Sequence, residues 1–437
     1  MSDVASGGAV RPKTAGGGSG FKNFLRATEI DTRMLGMVGA LLVIWVGFHI
    51  LSGGTFLTPR NLWNLSVQTA SVGVMATGMV LVIVTRNIDL SVGSVLGVTG
   101  MIMAIAQTTW FTPMFGFDNP MVWIATIGLG LLSGLAIGGL QGFVIAYMGV
   151  PSFIVTLGGL LVWRGAAWWV ASGRTIPITD DTFKILGGGS DGSIGATWSW
   201  VIAIVAIAFL ALAAVNARRQ RKRFHFPVKP MWAEYLTFAL SAGAVVVATL
   251  IVNAYLLPGP LAARYAQANG IAVPEGGLAI SFGYAVPVLL FIGVGIVMTF
   301  VARRTRFGRY VFAIGGNPEA AELAGINTKR VTMMVFALMG MLAAIAAAIS
   351  TARLTSATNA QGTLDELYTI AAAVIGGTSL AGGAGTIAGA MLGALVMQSL
   401  QSGMVLLGMD TPLQNIVVGA VLVVAVWLDT VYRKRAA

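Results

Sequence analysis

Residues 331–351 read VTMMVFALMGMLAAIAAAIST, an uncharged stretch bounded by Lys329 and Arg330 on one side and Arg353 on the other. A helix that is apolar on every face has no side to turn toward water. About 20 such residues reach across the hydrocarbon layer of a bilayer. The stretch therefore reads as a membrane crossing, and the rest of the chain repeats the pattern.

Of 437 residues, 56% are hydrophobic and 10% charged, with a mean hydropathy of +0.83. Soluble domains carry about 25% charged residues, and a soluble fold of this length leaves much of its area in water. The surrounding medium must be lipid. The 57 glycines suit closely packed membrane helices. There are no cysteines, so disulfide and thiolate chemistry are excluded. His49 and His225 are far apart, which argues against a histidine-built metal site. We expect no metal and no cofactor.

Further apolar runs lie near 34–51, 67–85, 90–107, 121–148, 152–171, 198–217, 232–256, 282–302, 364–380, 385–407 and 412–431, which with 331–351 makes twelve. The weakest are 90–107 and 364–380, so ten full crossings with two broken or re-entrant segments is the alternative. The net charge of +11 would suggest nucleic acid in a soluble chain. In a membrane protein it marks loops on the cytoplasmic side instead, and no nucleic-acid partner is expected. With Lys22, Arg26 and Arg33 inside, the clusters Arg218–Lys229, Arg303–Arg330 and Arg433–Arg435 all fall inside too. This predicts an all-α polytopic protein with both termini in the cytoplasm. Residues 1–33, with Gly16-Gly17-Gly18-Ser19-Gly20, read as a disordered cytoplasmic tail. The membrane-spanning body covers 34–431, with a basic loop at 218–231 and a second loop at 303–330, and 432–437 form a short cytoplasmic tail. Glycines four apart, Gly93 and Gly97, Gly134 and Gly138, and Gly385, Gly389 and Gly393, mark helix faces where backbones can touch.

Within 303–330, the run Asn317-Pro318-Glu319-Ala320-Ala321-Glu322-Leu323-Ala324-Gly325 has the marks of a short capped helix. Asn317 can accept the first orphan amides. Pro318 suits the first helical position, and the two glutamates suit the positive end of the dipole. Gly325 stops it. So short a helix does not hold alone in water, so it must lean on the bundle end or on a partner.

Glu319-Ala320-Ala321 followed by Gly325 resembles the EAA-type loop of bacterial ATP-binding-cassette importers, although Ile326-Asn327-Thr328-Lys329 lacks the rest of that motif. Residues 87–94 (NIDLSVGS), 150–158 (VPSFIVTLG) and 380–386 (LAGGAGT) resemble monosaccharide permeases of the ribose, xylose, arabinose and galactose type. The likeness runs from about residue 34 to the C-terminus. Residues 162–165 (VWRG), 172–175 (SGRT) and 425–429 (AVWLD) are most similar to xylose permeases, as is the basic insertion at 218–280. The resemblance implies a type II (vitamin-B12-importer-like) permease bundle of 10–12 transmembrane helices in the bacterial inner membrane. It also implies an ATPase-coupling role for Asn317, Pro318, Glu319, Ala320, Ala321, Glu322 and Gly325. The implied partners are a sugar ATPase subunit, a periplasmic sugar-binding protein, a second permease copy and membrane lipid.

A carboxylate near a span is costly. Asp89 reads either as part of a broken, path-lining element with Asn87, Ser91 and Ser94, the helix restarting at Leu90, or as a simple helix cap. Gln141, Gln398, Gln401, Gln414 and Asn415 would suit an uncharged sugar, or hydrogen bonds between helices. The translocation-path expectation is Asn87, Asp89, Ser91, Ser94, Gln141 and Gln398. Trp163, Trp168 and Trp169 read as sugar-stacking rings or as an interfacial belt. Arg164 is expected to snorkel outward.

No G-x-x-x-x-G-K-[ST] occurs, and Gly382-Gly383-Ala384-Gly385 lacks the phosphate-reaching lysine, so ATP hydrolysis belongs to another chain. An ion-driven sugar transporter would want a buried acid–base relay, for which only Glu234, Asp365 and Glu366 stand near spans. A membrane enzyme finds no paired carboxylates, Ser/His arrangement or metal cluster.

Overall fold

The computed structural model describes residues 24, 27–29, 31–117, 119–268, 270 and 278–436. The glycine-rich part of the predicted N-terminal tail lies outside the described residues. We number the long helices and those near the site, leaving two short loop helices, Asp181–Lys184 and Gly259–Ala268, unnumbered. They are α1 (Thr32–Leu51), α2 (Pro59–Val84), α3 (Val92–Phe115), α4 (Pro120–Ala146), α5 (Ser152–Ala171), α6 (Gly195–Arg223) and α7 (Met231–Ala254). There follow α8 (Val286–Arg304), α9 (Arg306–Gly316), α10 (Pro318–Leu323), α11 (Thr328–Leu354), α12 (Asp365–Ile375), α13 (Ile387–Leu406) and α14 (Thr411–Ala436). Among the described residues, ten helices are long and apolar enough to cross a membrane, and α14 adds a shorter apolar stretch, Thr411–Trp427.

The run at 90–107 is a full-length helix. Near its end, Ala106–Phe111 widens into a π turn, a local bulge that lets α3 continue to Phe115. It begins at Val92 rather than at Leu90, with Ser91 as its cap residue. The expectation of a span at 364–380 is corrected: the helix there is only α12. Its 11 residues rise about 16 Å, half the hydrocarbon thickness. Residues 355–364 enter without a helix, apart from the short strand Ser356–Ala357, and α12 completes the passage. Thr355 accepts from the Ile178 amide at one end, while at the other the Gly383 amide donates to the Val84 carbonyl, 3.0 Å, beside Gly315. The segment is a broken crossing, as the alternative reading held.

At the centre, α2 is 89% buried along its apolar stretch, and α11 packs on α2, α3 and α4. The glycine spacing explains the last contact. A Cβ on Gly138 would collide with the Phe336 carbonyl, and one on Gly134 with the Gly340 carbonyl. Lipid supplies no hydrophobic force between helices, so backbone approach of this kind takes its place. Gly389 and Gly393 lie in the same way against Gly376 and Ala372, while Gly93 and Gly97 face the broken crossing at Gly362, Glu366 and Gln361.

The basic loops gather at one end. Arg221 meets Glu29, Arg33 lies beside Gly377, and Arg86 donates to the carbonyls of Gly315 (2.9 Å) and Gly316 (2.7 Å) while touching Gly382. We call this the basic end. The opposite end is closed by loops. A short β1 (Ile176–Pro177) pairs antiparallel with β2 (Ser356–Ala357). Trp63 donates to the Gly283 carbonyl, 2.9 Å, within a cluster of Trp63, Tyr255 and Phe282.

Candidate functional site: a polar cavity and a displayed helix

A cavity of about 460 Å³ opens between α2, α11, α13 and the loop of the broken crossing, in the half of the bundle away from the basic end. Asn61, Asn64, Gln68 and Ser71 line it from α2, a helical face that recurs every three or four residues. From α13 come Gln398, Gln401 and Ser402; from α11, Ser350 and Arg353; and from the broken crossing, Gln361 and Asp365. The amides are linked. Gln398 Nε2 donates to Gln401 Oε1 at 2.8 Å and to Gln68 Oε1 at 3.2 Å, and Gln361 Nε2 donates to the Thr351 hydroxyl at 2.9 Å. Such a wall presents donors and acceptors with one cation and one acid, and so suits an uncharged polyhydroxylated solute.

The loop in this wall is held from outside the cavity. Arg164 on α5 turns inward, donating to the carbonyls of Gln361 (2.6 Å) and Asn359 (3.1 Å). The expectation that it snorkels outward is thereby corrected. Irregular backbone at membrane depth leaves carbonyls that no neighbouring residue on the chain satisfies, and something must satisfy them. The guanidinium does so. It also stabilises a bend in which Thr355, Gly362 and Leu364 all take positive φ, +51°, +73° and +67°, a conformation costing about 1–3 kcal/mol at a leucine.

The residues expected on the translocation path divide into two places. Gln398 lines the cavity. Asp89, Ser91, Ser94 and Gln141 are buried together between α3, α4 and α5, away from it. There Asp89 Oδ1 accepts from the Ser91 amide (2.8 Å) and hydroxyl (2.6 Å), and that hydroxyl also reaches Gln141 Oε1 at 3.0 Å. Asn87, half-buried, turns back to the Thr85 carbonyl and hydroxyl. Asp89 thus builds the turn into α3. Of the cavity residues missed by sequence reading, Asn61, Asn64 and Gln68 had a usable signal, the 61, 64, 68, 71 period of polar groups on an otherwise apolar helix; Arg353 and Gln361 had none, and Asp365 was noted only as an acid near a span. Trp168 and Trp169 are exposed beside Trp110, on the outer surface rather than in the cavity.

At the basic end, α10 forms within the expected segment. Asn317 Oδ1 accepts from the Ala320 amide, 3.0 Å, and Gly325 closes the helix at φ +81°. Only Ala321 is buried in the bundle. Glu319, Ala320 and Glu322 face outward, and Leu323 is 90% exposed.

A polytopic helical bundle with a polar cavity in one half and a capped helix displayed at the other end defines a membrane permease. The chain belongs to the monosaccharide permease family of ATP-binding-cassette importers. It is 37% identical over 407 residues to the xylose transport system permease protein of Haemophilus influenzae, covering 93% of this chain and 98% of that one. To the ribose import permease protein of Escherichia coli it is 32% identical, covering 94% and 97%. To the fructose import permease protein of Rhizobium meliloti it is 28% identical, covering 95% and 89%. The family described as branched-chain amino acid transport system / permease component matches residues 228–426. No solved structure gives a significant match. The chain is a multi-pass protein of the inner membrane and a translocation subunit, and nothing supports the ion-driven alternative.

Proposed function

We propose that this chain carries D-xylose across the inner membrane, driven by ATP hydrolysed in a separate ATPase subunit. The single observation that supports the sugar is the near end-to-end match to xylose permeases at 36–37% identity. In this reading the basic end is cytoplasmic, as the positive-inside rule requires, and both termini lie there. A periplasmic binding protein delivers the sugar at the opposite end, and two copies of the chain stand side by side in lipid. The permease body is 34–431, between the tails 1–33 and 432–437.

Asn317, Pro318, Glu319, Ala320, Ala321, Glu322 and Gly325 form the coupling element. Leu323 is too exposed for a settled surface leucine, and the two glutamates flank it, so α10 offers a knob for a groove in the ATPase. Closure of the ATPases would push on α10, and through α9 and α11 tilt the wall of the cavity. Gln398 contacts the solute. Asn87, Asp89, Ser91, Ser94 and Gln141 serve the path by holding the start of α3, closed in this conformation.

Three measurements test this. In liposomes holding the permease with its ATPase and binding protein, xylose should stimulate ATP hydrolysis more than ribose or fructose does. Stimulation by another sugar alone removes the xylose assignment. Glu319→Arg should abolish ATPase co-purification and uptake while leaving the chain folded, and retained uptake would count against the coupling role. The chain has no native cysteine, so single cysteines placed at 225 and 322 should label from the same face of sealed vesicles.

A further inference from the structure

The hairpin of α6 and α7 stands at the edge of the bundle. Only 11% of each apolar stretch is buried, so most of its apolar surface faces outward from the bundle. Between the two helices, at the basic end, lies a groove of about 250 Å³. Leu210, Ala214 and Phe238 give it an apolar side, with the hydroxyls of Thr237 and Ser241 beside them. Its mouth is cationic, with Arg218, Arg221 and Lys229.

The mouth already holds an anion. The two guanidinium nitrogens of Arg221 donate to the two oxygens of Glu29, at 2.8 and 2.7 Å, and Lys229 Nζ stands 3.4 Å from the same carboxylate while donating to the Thr28 carbonyl at 2.8 Å. A fork of this kind fits a phosphate as well as a carboxylate. Arg218 is engaged by Glu234 at 2.5 Å. Three cations therefore meet two carboxylates, and Arg219, Lys222 and Arg223 extend the positive charge along the end of α6. The site remains electropositive with both acids in place.

We propose that this groove binds an anionic phospholipid, its headgroup phosphate on Arg221 and Lys229 and an acyl chain along Leu210, Ala214 and Phe238. Glu29 is the internal competitor for the same two cations. A free phosphate would leave the apolar part of the groove uncovered, whereas a lipid fills both parts. Basic pockets between helices at a membrane surface have this chemistry, and each cation near an anionic surface contributes about fivefold in affinity.

The test uses the full-length protein in mixed phosphatidylglycerol and phosphatidylcholine nanodiscs, with retained lipid counted by native mass spectrometry after transfer to detergent. The wild type should retain phosphatidylglycerol over phosphatidylcholine. Arg221→Gln should lower that preference about fivefold, and Arg221→Gln with Lys229→Gln by more. Glu29→Gln should raise it, a gain that a misfolded variant would not produce. Equal retention of the two lipids, or no change in Arg221→Gln, overturns the lipid site. A fall or no change in Glu29→Gln overturns the competition. Displacement of the lipid by millimolar inorganic phosphate makes the occupant a free anion and overturns the assignment to lipid.

Discussion

The pair α4 and α11 and the broken crossing 355–386 answer the same problem in opposite ways. Each must take backbone through a medium that offers no hydrogen bonds. Helices α4 and α11 satisfy their own amides and carbonyls, so their contact needs only small residues, Gly134 and Gly138 against Gly340 and Phe336. The broken crossing leaves its carbonyls open and takes donors from elsewhere, chiefly Arg164. What it gains is exposed polar surface, since Gln361, Gly362 and Asp365 all reach the cavity. The intact pair holds the bundle together, and the broken segment gives it a site. The contrast teaches that in lipid a break in a helix leaves backbone groups that need partners, here supplied in part by a residue on another helix.

The largest effect should come from the intact side. Gly138→Val pushes a branched side chain into the Phe336 backbone, which has no flexible end to yield. Overpacking costs about 1–3 kcal/mol even where side chains can move, so here monodisperse protein should be lost on size-exclusion chromatography. A variant that elutes like wild type would show that the pair is looser than its geometry.

Arg164→Ala sharpens the other side. Hydrogen bonds to charged groups contribute about 1.5–3 kcal/mol, and two carbonyls at membrane depth would lose their donor. We expect uptake to fall by about tenfold or more, with the protein still folded and its ATPase still bound. Arg164→Lys should restore part of the uptake. If Arg164→Ala instead unfolds the chain as Gly138→Val does, the division between holding and shaping fails.

The smallest effect should fall outside both regions. The bond from Arg221 holds the Glu29 carboxyl well below its usual 4.5, at about 2. A carboxyl depressed in this way stabilises its contact above pH 4.5, and that stabilisation is lost as pH falls toward 2. Glu29 is solvent-exposed and Arg221 only partly buried, so the effect should be local. Proteolysis near residue 29 should increase between pH 4 and 3 in the wild type, at a pH-independent, higher rate in Glu29→Gln, with neither change touching uptake at pH 7.

Much of this architecture is legible from composition. The spans, the gathering of basic loops and the capped segment at 317–325 follow from residue types and spacings close together in sequence. The glycines at 134 and 138 announced a contact but not its partner. Asp89 was read as either path or cap, and its hydrogen bonds to Ser91 make it the turn into α3. Arg164 was misplaced because a lone arginine in an apolar helix usually turns to the nearest water, and its carbonyl partners lie 195 and 197 positions away.

The sequence by itself determined that this protein lives in lipid and where most of its spans lie, because the medium acts on every residue alike and its preferences are written in each local stretch. Only the tertiary structure decided where the cavity opens, that Gln68, Gln398 and Gln361 share it, and that the broken crossing is held by Arg164. Those outcomes depend on polar groups from distant segments meeting inside the bundle, and no local pattern of residues specifies which of them will meet.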